Sequence, residues 1–137
     1  MSCKPNIYVA TTTSSAVVAN ETLPLTTIVR RKDNGVNLSG NSITISDCGS
    51  NYYLVSVNAT FTAPAAGLVT LNLQQNNVNV TGATATTTIT TPTTEVRSLS
   101  FTAIVRTFNG SIIDSLSVIN SGVAATFSNI SVVVTKL

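Results

Sequence analysis

Apolar and polar residues alternate with a period of two along most of this chain. In "NYYLVSVNATFTAP", Tyr53, Val55, Val57, Ala59 and Phe61 share one face, and Ser56, Asn58, Thr60 and Thr62 share the other. That period puts successive side chains on opposite faces of a β-strand. "APAAG" breaks the run. The next strand turns Val69, Leu71 and Leu73 inward and Thr70, Asn72 and Gln74 outward. Asn76-Asn77 then supplies two residues that tolerate the positive φ of a tight hairpin, and Val78 and Val80 carry the alternation into the returning strand. Further on, "EVRSLSFTAIVRTF" aligns Leu99, Phe101, Ala103 and Val105, "DSLSVIN" follows, and "ATFSNISVVVTKL" aligns Ile130, Val132 and Val134. Upstream, "IYVA", "LTTIVRR" and "NSITI" are shorter strands, punctuated by Pro24, Asp33-Asn34-Gly35 and Ser39-Gly40. Residues spaced i, i+3, i+4 are nearly absent from the apolar set. The expectation is an all-β sandwich or jelly roll of nine or ten strands, one domain over residues 1–137, with the first six or so residues as a candidate N-terminal arm.

The alternation leaves an apolar surplus. Tyr52 and Leu54 fall on the outward parity of their strand, Val133 and Leu137 do so near the C-terminus, and Tyr8 sits among apolar neighbours near the N-terminus. Outward apolar residues on long strands form a patch that needs cover. The cover is either a second layer or folded-over loops of the same chain, or another subunit. The shortage of charge favours the subunit interface.

Charged residues make up 9% of the 137 residues, against about 25% in an ordinary soluble domain. None occurs between Asp47 and Glu95, about a third of the chain. Thr, Ser and Asn take their place, short side chains that wet a surface through hydroxyls and amides. A net charge of +2 is too small for a nucleic-acid footprint, and no basic stripe with interleaved aromatics occurs. No apolar run approaches the ~20 residues of a membrane span. No signal peptide is visible in "MSCKPNIYVATTTSS", so synthesis in a cytoplasm is expected, and with it two free thiols at Cys3 and Cys48 rather than a disulfide.

At this point the chain resembles a known family. The block "NYYLVSVNATFTAPAAGLVTLNLQQNNVNVTGATATTTITT", followed by "SLSVINSGVAATFSNISVVVTKL", is similar to the tumour-necrosis-factor-like jelly roll shared with complement globular heads. The shared pattern is an aromatic-rich strand, Y-x-V-x-V-x-x-x-F, running through a Gly turn into a hairpin that carries Q-x-N-x-V-x-V. It covers about residues 42–137, and the first forty match by strand count alone. Bacterial and bacteriophage members, including tips of spore-surface collagen-like proteins, resemble it most. The resemblance implies a ten-stranded sandwich assembled as a homotrimer. Its seam would be the outward face of the inner sheet, with Tyr8, Tyr52, Leu54, Phe127, Val133 and Leu137 as this chain's matches. It supplies no catalytic residue.

Candidate chemistry adds little. Without histidine no Ser–His–Asp or Cys–His arrangement can exist, and the cysteines lack metal-ligand spacing, so no cofactor, no metal and no enzyme activity are expected. The carboxylates Glu21, Asp33, Asp47, Glu95 and Asp114 are scattered singly. "DNGVN" lacks the acidic spacing of a calcium loop and is a turn. Arg106 and Asp114 are expected to be neighbours across a hairpin as a surface ion pair. Arg30, Arg31 and Lys32 form one charge cluster: a solvated strand end, or a contact for an anionic surface such as a capsid, teichoic acid or acidic glycan. Together these point to a structural protein of a bacteriophage virion, a trimeric capsid decoration, head-fibre or fibre-tip protein. Its partners would be itself, other virion proteins and a host-surface glycan, with no nucleic acid. The alternatives are a carbohydrate- or ligand-binding module of complement-head type and a spore-surface protein.

Overall fold

The computed structural model describes residues 4–46, 51–107 and 113–137. Cys3, Asp47 and Cys48 lie outside them. The described residues form no helix and twelve strands: β1 (Asn6–Thr11), β2 (Ser15–Val17), β3 (Glu21–Thr22), β4 (Thr27–Lys32), β5 (Val36–Ser39), β6 (Ser42–Ile45), β7 (Tyr52–Thr62), β8 (Gly67–Gln75), β9 (Val78–Ile89), β10 (Arg97–Arg106), β11 (Asp114–Asn120) and β12 (Ala125–Lys136). The count exceeds the nine or ten expected. The unannounced strands β2, β3 and β5 are two to four residues long, too short for a two-residue period to show.

Two antiparallel six-stranded sheets face each other. One runs β10–β7–β12–β1–β4, with β2 also on β12, and the other runs β5–β6–β11–β8–β9, with β3 also on β11. From β7 to β8, β9 to β10, β10 to β11 and β11 to β12 the chain changes sheet each time, so sequence neighbours mostly face one another across the core instead of pairing. This is jelly-roll connectivity.

The inward parity read from the sequence fills the core. Tyr53, Val55, Val57, Ala59 and Phe61 of β7, Val69, Leu71 and Leu73 of β8, and Ile130, Val132 and Val134 of β12 are all buried. At one end the Phe61 and Phe127 rings meet at 5.2 Å between centroids and 52° between planes, a tilted contact worth about 1 kcal/mol beyond the area it buries. Phe127 reaches this position because Ser128 is an inserted residue: Phe127 pairs with Phe61, yet Asn129 already pairs with Thr60. A bulge of this kind shifts parity by one, so Phe127 points inward although it has the same odd numbering as outward Val133.

A larger irregularity separates β8 from β9. Gln75 pairs with Val78 and Gln74 with Asn79, and the next partners are Asn72 and Thr84. The extra β9 residues include Gly82 at φ 80°. The inward parity of β9 changes from even to odd positions across them: Val80 packs against the core on one side, Ala83 and Ile89 enter it on the other, and Val78, paired with Gln75 beside the turn, is exposed. The turn itself is as expected: Asn76 and Asn77 have φ of 53° and 67°. Asn76 also stitches the hairpin to β11, its Nδ2 donating to Asp114 Oδ1 (2.8 Å) and its Oδ1 accepting from Ser115 N (2.9 Å). Asp114 is therefore a buried acceptor, also reached by Gln75 Nε2 (3.3 Å), and not half of an exposed pair with Arg106. β10 and β11 belong to different sheets, so no hairpin joins those two residues.

Neutral groups bridge the outer surfaces of the strands. Thr70 and Thr86 hydroxyls meet across β8 and β9 at 3.1 Å, Thr60 and Ser98 across β7 and β10 at 3.0 Å, and Gln74 Nε2 donates to Asn79 Oδ1 at 3.0 Å. Each is a polar cross-strand pair of the kind that contributes about 0.2–1 kcal/mol.

One exposed ionic feature has a structural task. In the connection before β10, Glu95 Oε1 accepts from Thr90 N (2.9 Å), Thr91 N (2.8 Å) and the Thr90 hydroxyl, while Oε2 faces the Arg97 guanidinium. Backbone donors from Thr91 and Thr90, then Arg97, hold this carboxyl well below its ordinary value of 4.5, at about 2. Because the folded value is depressed, the stabilisation is whole above about 4.5 and is lost as pH falls through about 2. Glu95→Gln should therefore flatten the dependence of the urea midpoint on pH between those limits. Parallel curves for the two proteins would show that the turn does not depend on the charge.

Candidate functional site

The sheet β10–β7–β12–β1–β4 has an outer face whose rows follow from pairing. One row runs Ile104, Leu54, Thr135, Asn6, Lys32, and the next runs Thr102, Ser56, Val133, Tyr8, Arg30. Beyond the first, Arg106 pairs with Tyr52, and Leu137 N donates to Tyr52 O (2.9 Å), which sets Leu137 beside the ring-bearing residue. Tyr52, Leu54, Ile104, Leu137 and Tyr8 are 36–57% exposed, and Val133 between them is half-buried. At about 4.8 Å between strands and about 3.3 Å per residue, the patch spans about 14 Å across the strands and about 13 Å along them.

The structure thus brings five of the six expected seam residues together: Tyr8, Tyr52, Leu54, Val133 and Leu137. It removes the sixth. Phe127 is 1% exposed within its own subunit, packed on Phe61, and cannot line an outer seam. It adds Ile104, which the sequence parity of β10 already turned outward but which only the register places opposite Leu54.

No Asp or Glu side chain of the described residues lies on this face. Arg106 beside Tyr52, Arg30 beside Tyr8 and Lys32 beside Asn6 rim the patch with cations. Arg31 has the opposite parity and reaches β5, its Nη1 donating to Asn37 Oδ1 at 2.7 Å, so the three-residue basic cluster is divided between two sides of β4. Asp33 makes no ion pair with the cluster; its Oδ1 accepts from Asn34 N (2.6 Å) and Gly35 N (3.3 Å) within the turn.

Elsewhere, a groove of about 380 Å³ runs along the β8–β9 hairpin between Gln75, Asn76, Val78, Asn79 and Val80, with no titratable group among the described residues that line it. Among the described residues no three His, Cys, Asp or Glu side chains gather as a metal-binding group, and no helix is long and apolar enough to cross a membrane. The arrangement suits surface-to-surface contact.

No protein-family model matches the chain, and no curated protein matches it by sequence. Solved structures do match its fold. Murine APRIL aligns over 98% of this chain and 100% of its own, with a TM-score of 0.71 at 14% identity. The globular domain of zebrafish complement 1qA aligns over 98% and 96%, with a TM-score of 0.61 at 9% identity. The vertex protein P5 of PRD1 aligns over 99% and 98%, with a TM-score of 0.58 at 12% identity. The fold is the tumour-necrosis-factor-like jelly roll, as the sequence resemblance implied.

Proposed function

We propose that this chain is a non-enzymatic structural protein of a bacteriophage virion, a decoration, head-fibre or fibre-tip protein that works as a homotrimer. The observation that carries the reading is the contiguous apolar patch on the outer sheet face. Six neighbouring residues on four strands are presented to solvent by a chain that has little charge to spare, and a patch of this kind is normally an association surface. Burying it around a threefold axis would remove it from water in every copy at once. The likeness to a phage vertex protein of the same fold supports a particle as the setting. Weak contacts to a host-surface glycan, multiplied by three, fit such a fibre or decoration.

The complement-head likeness supports a second reading, a trimeric ligand-binding module that is free of any particle. A spore-surface role is a third. Mass spectrometry of purified phage particles from the source separates them: the chain is expected among the virion proteins, and its absence there overturns the virion assignment. Size exclusion with light scattering tests the assembly, which should weigh about three times the 14.2 kDa of one chain.

A further inference from the structure

We propose that the free edge of β4 docks an extended, acidic segment of a partner protein, added strand to strand along Thr27–Lys32. The inference deepens the anionic contact foreseen for Arg30–Lys32 by naming its partner class, and it does not depend on the trimer.

Three observations carry it. First, β4 ends its sheet: among the described residues β1 is its sole pairing partner, so about half of its N–H and C=O groups aim away from the sandwich. Second, all six residues are exposed, including Ile28 and Val29, so the strand has side-chain surface to offer as well as backbone. Third, the three cations make no ion pair among the described residues. Arg31 is held by the neutral Asn37 amide, Asp33 is committed to its turn, and among the described residues no carboxylate pairs with Arg30, Arg31 or Lys32.

The same features disfavour a second copy as the occupant. Three successive like charges oppose self-pairing through that half of the strand. The register shift that leaves Val29 without a β1 partner interrupts the flat edge that identical strands would need. They also specify what fits. Arg30 and Lys32 share one face and Arg31 takes the other, so an added strand meets positive charge on both of its faces. Running antiparallel, it should carry consecutive acidic residues opposite Arg30–Lys32 and β-branched residues opposite Thr27–Val29. Main-chain pairing would supply affinity and the charges would supply choice of partner.

The probe is the capped hexapeptide Glu-Glu-Glu-Val-Thr-Val, titrated into the ¹⁵N-labelled full chain. We expect hydrogen exchange of the outward β4 amides to slow at least tenfold. Affinity should fall as salt rises, and N-methylation of alternate peptide amides, which keeps every charge, should weaken binding at least tenfold. Arg30→Glu combined with Lys32→Glu should abolish binding of the peptide. Equal binding of the N-methylated peptide, or no slowed β4 amide, overturns the proposal. So does a sulfated glycan that binds at Arg30–Lys32 when the peptide does not, because the site would then read charge alone. Light scattering on the same samples reports the oligomer separately, so failure here is distinct from failure of the trimer.

Discussion

Leu54→Lys is expected to convert the proposed trimer to folded single subunits. Leu54 points outward at the middle of the patch, between Ile104 and Thr135, so lysine there disturbs nothing inside its own sandwich. In a closed seam the ammonium would be desolvated. With no Asp or Glu side chain of the described residues on this face to pair with it, each copy would lose about 3 kcal/mol, or about 9 kcal/mol for three copies. Light scattering should fall to the 14.2 kDa of one chain with the β-sheet circular dichroism intact. Val133→Asp should act in the same direction. An unchanged trimer in both variants would move the seam elsewhere, and a monomeric parent protein would remove it. Salt is a further discriminator: with cationic side chains at the rim, screening should tighten the proposed trimer, whereas it should weaken acidic-peptide binding at β4.

Gly122→Ala is expected to give the largest loss of stability for a single methyl group. The 121–124 connection lies flat on β8, tied by Ser121 N to Thr70 O (2.9 Å) and Val123 N to Leu68 O (2.8 Å). A Cβ on Gly122 would run into the Leu68 carbonyl oxygen and would stand 2.7 Å from Thr70 N, both backbone atoms of a central pairing. Neither can yield without breaking the bonds on either side. The penalty should be about 3 kcal/mol or more, a fall of about 10 °C in Tm. Gly40→Ala is the control. Its φ of 61° strains an alanine, yet nothing lies within 4 Å, so about 1 kcal/mol is expected. Similar melting shifts for the two would show that the close approach at Gly122 relaxes.

Much of this architecture was legible because a two-residue period is a physical consequence of the strand. It identified the inward faces of β7, β8, β10 and β12, and the left-handed asparagines of the hairpin. It also marked Tyr52, Leu54 and Val133 as outward. Where it misled, an inserted residue was responsible. One extra residue at Ser128 puts Phe127, which the family resemblance had placed in the seam, into the core, and the longer insertion around Gly82 moves the inward parity of β9 to Ala83 and Ile89. Alternation has no memory across a bulge, and a bulge is fixed by the partner strand, which lies far away in sequence. Ile104 shows the same limit from the other side: its outward direction was readable, but its place beside Leu54 is a fact of register. The Arg106–Asp114 expectation failed because it assumed a hairpin where the chain changes sheets.

The paired hydroxyls and amides on the outside of the sandwich carry a consequence for how the surface meets changing solvents. Threonine, serine, asparagine and glutamine side chains take up and release no protons across the ordinary range of pH, and their bonds, unlike long-range fields, are little affected by dissolved ions. A surface built from them would stay wet in the same way in acid, in brine and in fresh water.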